Sequence, residues 1–550
     1  MTSSRKPVVA IDFGTSTILV AVRTNEEDPD PTIPIGVANS WMPSVVGIDD
    51  QGSYLFGEYA EQLNEDQVVR SIKTLLGGGK EQVLVNGKPR QIDELIEKLL
   101  IDAVNRAKAN AGNRRPHLES PFRVHLCCPA NWTAKSRQRL GEIAKRAGLD
   151  ASPDEIVDEP IAAGVSWVSG SEAFGRELPE GRTLVFDYGG GTLDVAVLEV
   201  ARLNGASRPD ITVLHADALP SAGDRLDELI AKDLESRLTI SGWSGAQDET
   251  EKAQLTIRAA RELKHLLSES DEAGTRIPGF DGPVTYTRKE LEAAFDEQLD
   301  EAVKFALNVI KGSVARQPGA RYQRIRQSEK EEQSRELHHI LLAGGMSRIP
   351  YVRKKLRDQL VREPEVDPGL VDPEKSVVSG LTFHDAVTGL NLHRPGFSFL
   401  AQYLDANGKN IEEQVLYEAF SPLYKRHEAF TQDSDLGTQT DLEVPNGAES
   451  VKIICRGISG QVVPLQIEGE LESVIECPLS PHKQRRKSHS FKLFVDGRIV
   501  LHARKTVSLW IPRWPILRDG MAAKLQAKRK KPKVPWYGRA PDPMDITYNR

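Results

Sequence analysis

The chain has 550 residues, 39% apolar and 27% charged, with a formal net charge of −7 and a pI of about 6.0. That length holds about three or four domain-sized units and a large core, and its mild acidity excludes a global attraction to nucleic acid or membranes, leaving only local contacts such as a basic tail. No run approaches the roughly 18 apolar residues of a membrane span, Asp12 breaks the N-terminal apolar run before it resembles a secretory segment, and Cys127, Cys128, Cys455 and Cys477 lack metal-ligand spacing, so the chain reads as cytoplasmic.

The first element is an apolar strand ending in an aspartate and a small-residue turn, Val8 to Thr15 (VVAIDFGT), followed by a second strand run at Ile18 to Val22. Ile92 to Ala109 carries Ile92, Leu95, Ile96, Leu99 and Val104 at helical spacing, with Gly112 to end it. Cys127 and Cys128 sit in the strand-like run VHLCCPA and read as buried thiols. Thr133 suits the cap of a helix that runs to Ala147 and closes at Gly148. The opening element then returns as LVFDYGGGT, Leu184 to Thr192, again followed by a strand run, Val195 to Val200.

Helices are predicted at Glu251 to Leu267 and at Thr287 to Val309, the second with Thr287 and Glu290 in capping-box spacing. Arg316 to Glu336, dense in Arg, Gln and Glu, reads as a solvated insertion, with partner docking as the other reading. His339 to Ala343 is a strand run, Gly344 and Gly345 a turn, and Pro350 suits the first turn of a helix holding Val352, Leu356 and Leu360. This alternation argues for an α/β architecture up to about Thr388. After His393-Arg394-Pro395-Gly396 the runs become short: Val451 to Cys455, Gln461 to Ile467, Phe491 to Val495, then Arg498 to Ala503 beyond the hairpin signal Asp496-Gly497. That is the pattern of a separate β domain. From Ala522 the chain is basic and then Pro-rich, a disordered tail on one reading and a segment for an anionic surface on the other.

The doubled strand–aspartate–turn element carries the chemistry. Gly14 in one copy and Gly189, Gly190 and Gly191 in the other let backbone N–H groups approach an anion, and Thr15, Ser16, Thr17 and Thr192 add hydroxyls. Asp12 and Asp187 are hard oxygen ligands suited to Mg²⁺. Both turns lead into strands, whereas a P-loop or Rossmann turn opens a helix. The pair therefore reads as two similar lobes of a duplicated unit with a triphosphate between them, and Gly344-Gly345 reads as a backbone that passes against adenine or ribose.

The stretches AIDFGTST, PANWTAKSRQRLGEIAKRAGL with DEPIAAG, FDYGGGTLDVAVL and ILLAGGMSRIPYVRKKL resemble, in order and spacing, the ATPase domain of the DnaK-type 70-kDa heat-shock chaperones, a branch of the actin and hexokinase superfamily. The resemblance covers about Val8 to Ala386, and more faintly PLYKRHEAF and SFKLFVDGRIVLHAR look like degraded strands of the family's peptide-binding β-sandwich. It implies an α/β, duplicated two-lobed actin-like (ribonuclease H-like) ATPase domain over residues 1–388, a β-sandwich-like domain over 389–516 and a basic, Pro-rich tail over 517–550. It also implies roles residue by residue. Asp12 and Asp187 hold Mg²⁺ through water, Thr15 and Ser16 meet the β- and γ-phosphates, and Thr192 meets the γ-phosphate. Lys73 falls on the family's catalytic lysine, while Glu159 and Asp194 orient the attacking water and the metal shell. Gly223, Lys264, Ser268, Gly344, Gly345 and Arg348 fall on nucleotide contacts. His265 stands where the family places a base-stacking Arg, and Met346 where it places a Ser.

Two further departures concern the family's signalling parts. The linker stretch VTGLNLHRPGFSFL has no acidic residue and contains Pro395, and no helical lid is expected after the β domain. The elements that link nucleotide state to client binding are thus the altered ones. The leading expectation is a slow ATPase with ATP/ADP and Mg²⁺ as cofactors, its β domain engaging protein clients or a dedicated partner and a cochaperone or exchange factor acting on it. The alternatives are a nucleotide-dependent, exchange-factor-like binding module with negligible turnover, and a small-molecule kinase of the same superfamily.

Overall fold

The computed structural model describes residues 7–25, 28, 30–119, 122–173, 175–201, 209–246, 248–315, 337–360, 362–366, 372–383, 388–391, 393–405, 408–423, 437–444, 448, 450–463, 465–467, 470–479, 489–494, 498–502, 506–510 and 525–530. Two sheets of the same strand order organise the first part. In the first lobe, Val8–Phe13 pairs in parallel with Arg123–Cys128, which pairs with Val157–Asp158; its other edge pairs antiparallel with Thr17–Ala21 and then Thr32–Ile33. In the second, Gly181–Tyr188 takes the central place, with His339–Ala343 and Pro364–Val366 on the parallel side and Leu193–Ala201 and Asp210–Leu219 on the antiparallel side. This is the duplicated, two-lobed actin-like α/β arrangement, followed by a β region.

The apolar runs of the central strands are continuous because both faces are covered. Val9, Ile11 and Phe13 pack on the helix Ile92–Asn110, whereas Ala10 packs into a layer with Glu159–Ala173 and Ser376–Phe383 that both lobes share. Leu184, Phe186 and Tyr188 likewise face the second lobe's own helices, and Val185 faces the shared layer. Strand periodicity then dictates where Asp12 and Asp187 project, since each has the parity of the shared-layer residue two positions earlier. Both carboxylates point between the lobes.

The predicted helix starts hold for local reasons. Thr133 caps Ala134–Arg146, its hydroxyl accepting the Ser136 N–H at 3.3 Å. Glu290 accepts the Thr287 N–H at 2.7 Å and Thr287 accepts that of Glu290 at 3.3 Å, the reciprocal box that opens Arg288–Ala315. The helix expected from Glu251 starts two residues earlier, as Glu249–Glu269, because the Asp248 carboxylate accepts the Glu251 N–H at 2.8 Å. Pro350 opens Pro350–Gln359 as read from the sequence.

In the β region, Ile411–Tyr417, Phe397–Leu404, Ser450–Gly457 and Ile475–Pro478 form one sheet, and a second runs through Gly437–Asp441, Ser490–Phe494, Arg498–His502 and Thr506–Trp510. Phe399, Ile453 and Cys455 from the first and Phe491, Leu493 and Ile499 from the second share one core. Of the described residues in the run expected from Gln461 to Ile467, Leu465–Ile467 form a strand. Leu525–Lys530 pairs with Thr506–Trp510 and with Leu465–Ile467, so part of the basic segment read as disordered is sheet. The charged insertion 316–336 and the Asp496-Gly497 turn lie outside the described residues. No described helix is long and apolar enough to cross a membrane.

The altered linker is ordered by docking. Thr388–Asn391 adds a parallel strand beside Asp210–Leu219, and His393 then stacks on His215 with ring centroids 4.0 Å apart while its Nδ1 meets the Ala216 carbonyl at 2.8 Å. Strand addition needs backbone groups, not acidic side chains, so the stretch docks despite its composition.

Candidate active site

The two turns have one geometry. Gly14 N–H donates to the Thr17 carbonyl at 2.9 Å, and Gly189 N–H donates to the Thr192 carbonyl at 3.0 Å. In both, the residue after the aspartate pairs with the residue after the turn: Phe13 with Ile18, Tyr188 with Leu193. The counterpart of Thr192 is therefore Thr17; Thr15 and Ser16 occupy the places of Gly190 and Gly191. The turns face each other at contact distance. A Cβ on Gly190 would lie 1.9 Å from Ser16 Oγ, and one on Gly191 2.4 Å from Thr15 Cγ2, so only bare backbone fits.

Beneath the turns, Asp12, Asp187, Asp194 and Glu159 surround the ammonium of Lys73, which is bonded to Glu159 Oε1. Burial pushes Asp12 up to about 6, against the pull of Lys73 and the Cys127 thiol that donates to its Oδ1 at 3.2 Å. Burial and the Glu159 charge push Asp194 up to about 8, although the Thr192 hydroxyl and the Ala130 N–H, 2.9 Å from Oδ1, favour its ionised form. Asp187 is raised well above the usual carboxylate range by burial and by Glu159, Asp194 and Asp12. Burial opposes the Lys73 charge, yet Glu159, Cys127 and Asp12 outweigh it and lift the lysine above its ordinary value. Asp194 Oδ2 is buried with no hydrogen-bond partner. Crowded buried carboxylates with an orphaned oxygen are the chemistry of a cation site. Among the described residues no three His, Cys, Asp or Glu side chains converge as direct metal ligands.

The cleft has an empty volume of about 950 Å³ including its open mouth and is lined by Asp12, Glu159, Asp187 and Thr192 below and by Gly223, Lys264, His265, Ser268, Gly344, Gly345 and Met346 above. Lys73 and Asp194, each 1% exposed, stand behind its floor. At the base end, Lys264 bonds the Gly223 carbonyl at 3.2 Å and Asp227 at 2.7 Å. Gly344 has φ of +78° and a Cβ there would meet the Tyr188 carbonyl at 2.4 Å, which explains the glycine. Arg348 stands behind the wall, paired with Glu269 and 3.7 Å from Glu374, a wall residue. Desolvation, with the Lys264, Arg348 and Arg261 charges, pushes His265 down to about 4, so its ring faces the cleft neutral at pH 7. Met346 is 4% exposed and packs in the second-lobe core as well as lining the cleft.

A family model described as "Hsp70 protein" matches residues 120–399. The chain belongs to the Hsp70 family. Its members are ATPases of the chaperone type. Among curated proteins, "Chaperone protein DnaK" of Thermosipho melanesiensis is 23% identical over 465 residues, 82% of this chain and 72% of the relative. That of Thermotoga maritima is 24% identical over 466 residues, with the same coverage of each chain.

Against that family background, three features escaped the motif reading. Trp41, from the first lobe, stacks toward His265 of the second, ring centroids 6.4 Å apart and 23° from parallel. Asp224, beside Gly223, reaches across the cleft to the segment before Lys73. Arg137, buried and paired with Asp158 next to Glu159, carries the ring of Phe420 from the β region at 3.8 Å. An isolated Trp, an acid at a helix start and an Arg in an amphipathic helix carry no local signal of such partners.

Proposed function

We propose that this Hsp70-family chain binds ATP with Mg²⁺ between its lobes, hydrolyses it slowly, and uses the nucleotide state to control binding of protein clients or a partner by its β region. Residues 1–388 serve as the ATPase domain, its second sheet extended by the linker strand Thr388–Asn391, residues 389–516 as the client module, and 517–550 as a basic segment of which Leu525–Lys530 joins the β region. The observation that carries the reading is the array of buried Asp12, Asp187, Asp194 and Lys73 with half-buried Glu159 under two facing glycine turns.

The residues divide the work by position. N–H groups of the two turns and the hydroxyls of Thr15, Ser16 and Thr192 hold the phosphates. Asp12 and Asp187 hold the water shell of Mg²⁺, which when bound neutralises phosphate charge. Lys73 is the fixed positive charge beside the transferred phosphoryl. Glu159 and the unpartnered Asp194 Oδ2 accept hydrogens from the attacking water and so orient it. Control of the β region is supported by the chain of contacts Glu159–Asp158–Arg137–Phe420, because movement of Glu159 displaces its neighbour Asp158 and the pair it makes. Phe420 is held in a left-handed conformation, φ +61°, and its carbonyl accepts from Arg394 at 3.1 Å.

Single-turnover hydrolysis of γ-labelled ATP by the full chain, repeated with Lys73→Ala, tests the reading. Wild-type cleavage with about 10²- to 10³-fold loss in the variant is expected. Equal inactivity of both, with ATP still bound, would leave a binding module instead.

A further inference from the structure

The helix Ile72–Gly77 that presents Lys73 begins in an unusual way. Ser is a preferred N-cap residue, its oxygen accepting an N–H of the first turn, yet Ser71 makes no such bond and sits in the left-handed region at φ +49°. For a residue with a side chain that conformation is unfavourable and persists only where the surroundings impose it. The imposing contact comes from the other lobe. The Ser71 hydroxyl donates to Asp224 Oδ2 at 2.7 Å, and Ser16 Oγ reaches Asp224 Oδ1 at 3.4 Å.

Asp224 is itself tied to the second phosphate turn. It stands in the first turn of Gly223–Ile240, its N–H donating to the Gly190 carbonyl at 2.7 Å, with the Gly223 N–H 3.2 Å from the Gly189 carbonyl. One half-buried carboxylate thus joins the second-lobe phosphate turn, the first-lobe phosphate turn and the segment that leads into Lys73. Resting on the ATPase reading, we propose that Asp224 is a positioning residue: through Ser71 it sets the helix that carries Lys73 when the lobes close, so that Lys73 takes its working place only in the closed cleft. An opened cleft separates Asp224 from Ser71 and releases the strained helix start, which couples closure to hydrolysis and not merely to nucleotide retention.

Single-turnover ATP hydrolysis and equilibrium binding of a fluorescent ATP by the full chain test this in Asp224→Ala, Ser71→Ala, the double variant and Asp224→Asn. Each Ala variant is expected to hydrolyse about 10- to 100-fold more slowly with ATP affinity within about twofold of wild type. The double variant is expected to be no slower than Asp224→Ala, since the contact that Ser71→Ala removes is already gone there. Asp224→Asn, which keeps an oxygen acceptor, restores most of the rate. Wild-type rates in the Ala variants, slowing by Asp224→Ala without Ser71→Ala, or a loss confined to ATP affinity would each overturn the proposal. A wild-type chain that binds ATP and never cleaves it would instead remove the hydrolysis reading, and the step that Asp224 serves with it.

Discussion

The two ends of the cleft are built on opposite principles. The phosphate end is closed and over-determined: glycines admit no side chain, and four carboxylates share one lysine. The base end is assembled from wall residues that meet solvent or core, His265 neutral and facing Trp41, Met346 in the second-lobe core, and Arg348 held back by acidic partners. The difference teaches where substitution is tolerated. Phosphate geometry allows one solution at a given distance, whereas a flat base is satisfied by any ring or apolar surface of suitable width. Changes at the two ends should therefore differ in kind: chemistry lost at one, residence time altered at the other.

The largest effect should come from Lys73→Ala, with about 10²- to 10³-fold loss of single-turnover rate, because the charge of Lys73 acts on Asp12, Asp187, Asp194 and Glu159 together. Gly190→Ala comes next. Its Cβ meets both Ser16 Oγ at 1.9 Å and Ser16 Cβ at 2.6 Å, so the lobes must part, and a displacement of about 1 Å at the reacting atoms costs about 10²-fold. Hydrolysis near the wild-type rate in Gly190→Ala would show that the two turns need not approach this closely.

The pH dependence separates the ends without mutation. In the metal-free protein burial pushes Asp12 up to about 6 and Asp194 up to about 8, from an ordinary 3.8, so their neutral forms favour the fold; that stability is full below about 4 and is lost as pH rises from there to about 6 for Asp12 and to about 8 for Asp194. Binding of Mg²⁺ with ADP requires ionised carboxylates, so it should release protons and tighten about tenfold per pH unit for each proton released, up to the pKa of the group concerned. His265, at about 4, does not titrate in this window, so adenosine alone should bind without proton release. Calorimetry in two buffers of different ionisation heat measures both. Proton release by adenosine, or none with Mg²⁺ and ADP, would break the distinction.

How much of this was legible depended on whether the information lay along the chain or across it. The doubled turn was legible because Asp, Gly and Thr are contiguous, and so were the sheets, whose central strands are apolar on both faces. That Thr17 is the counterpart of Thr192 was not legible, since only the pairing of Phe13 with Ile18 reveals the register. Lys73 carried no signal of its own; family resemblance alone singled it out. Asp224 lies 153 positions from Ser71, and an acid at a helix start already satisfies the helix dipole, so nothing in its neighbourhood calls for another partner. The docking of the linker was hidden for a related reason, as it rests on backbone pairing and on His393 against His215.

The smallest effect belongs to Trp41. Its chain neighbours Met42 and Pro43 pair with Ile18 and Thr17, which fixes the indole at the rim of the first-lobe turn, opposite His265 on the second-lobe helix. A ring pair of this kind is worth about 0.5 to 1.5 kcal/mol, equivalent to about a two- to tenfold change in rate if it is broken before nucleotide leaves. Trp41→Ala and His265→Ala should therefore each speed release of fluorescent ADP by about that factor while leaving single-turnover hydrolysis within about twofold, and Trp41→Phe should restore most of the residence time. The readout is a stopped-flow chase with unlabelled ADP. A loss of hydrolysis in Trp41→Ala comparable to that of Gly190→Ala would place the ring in the chemistry and dissolve the distinction between the two ends; faster release with intact cleavage confines it to the mouth, where a substitution changes how long the nucleotide stays and not what happens to it.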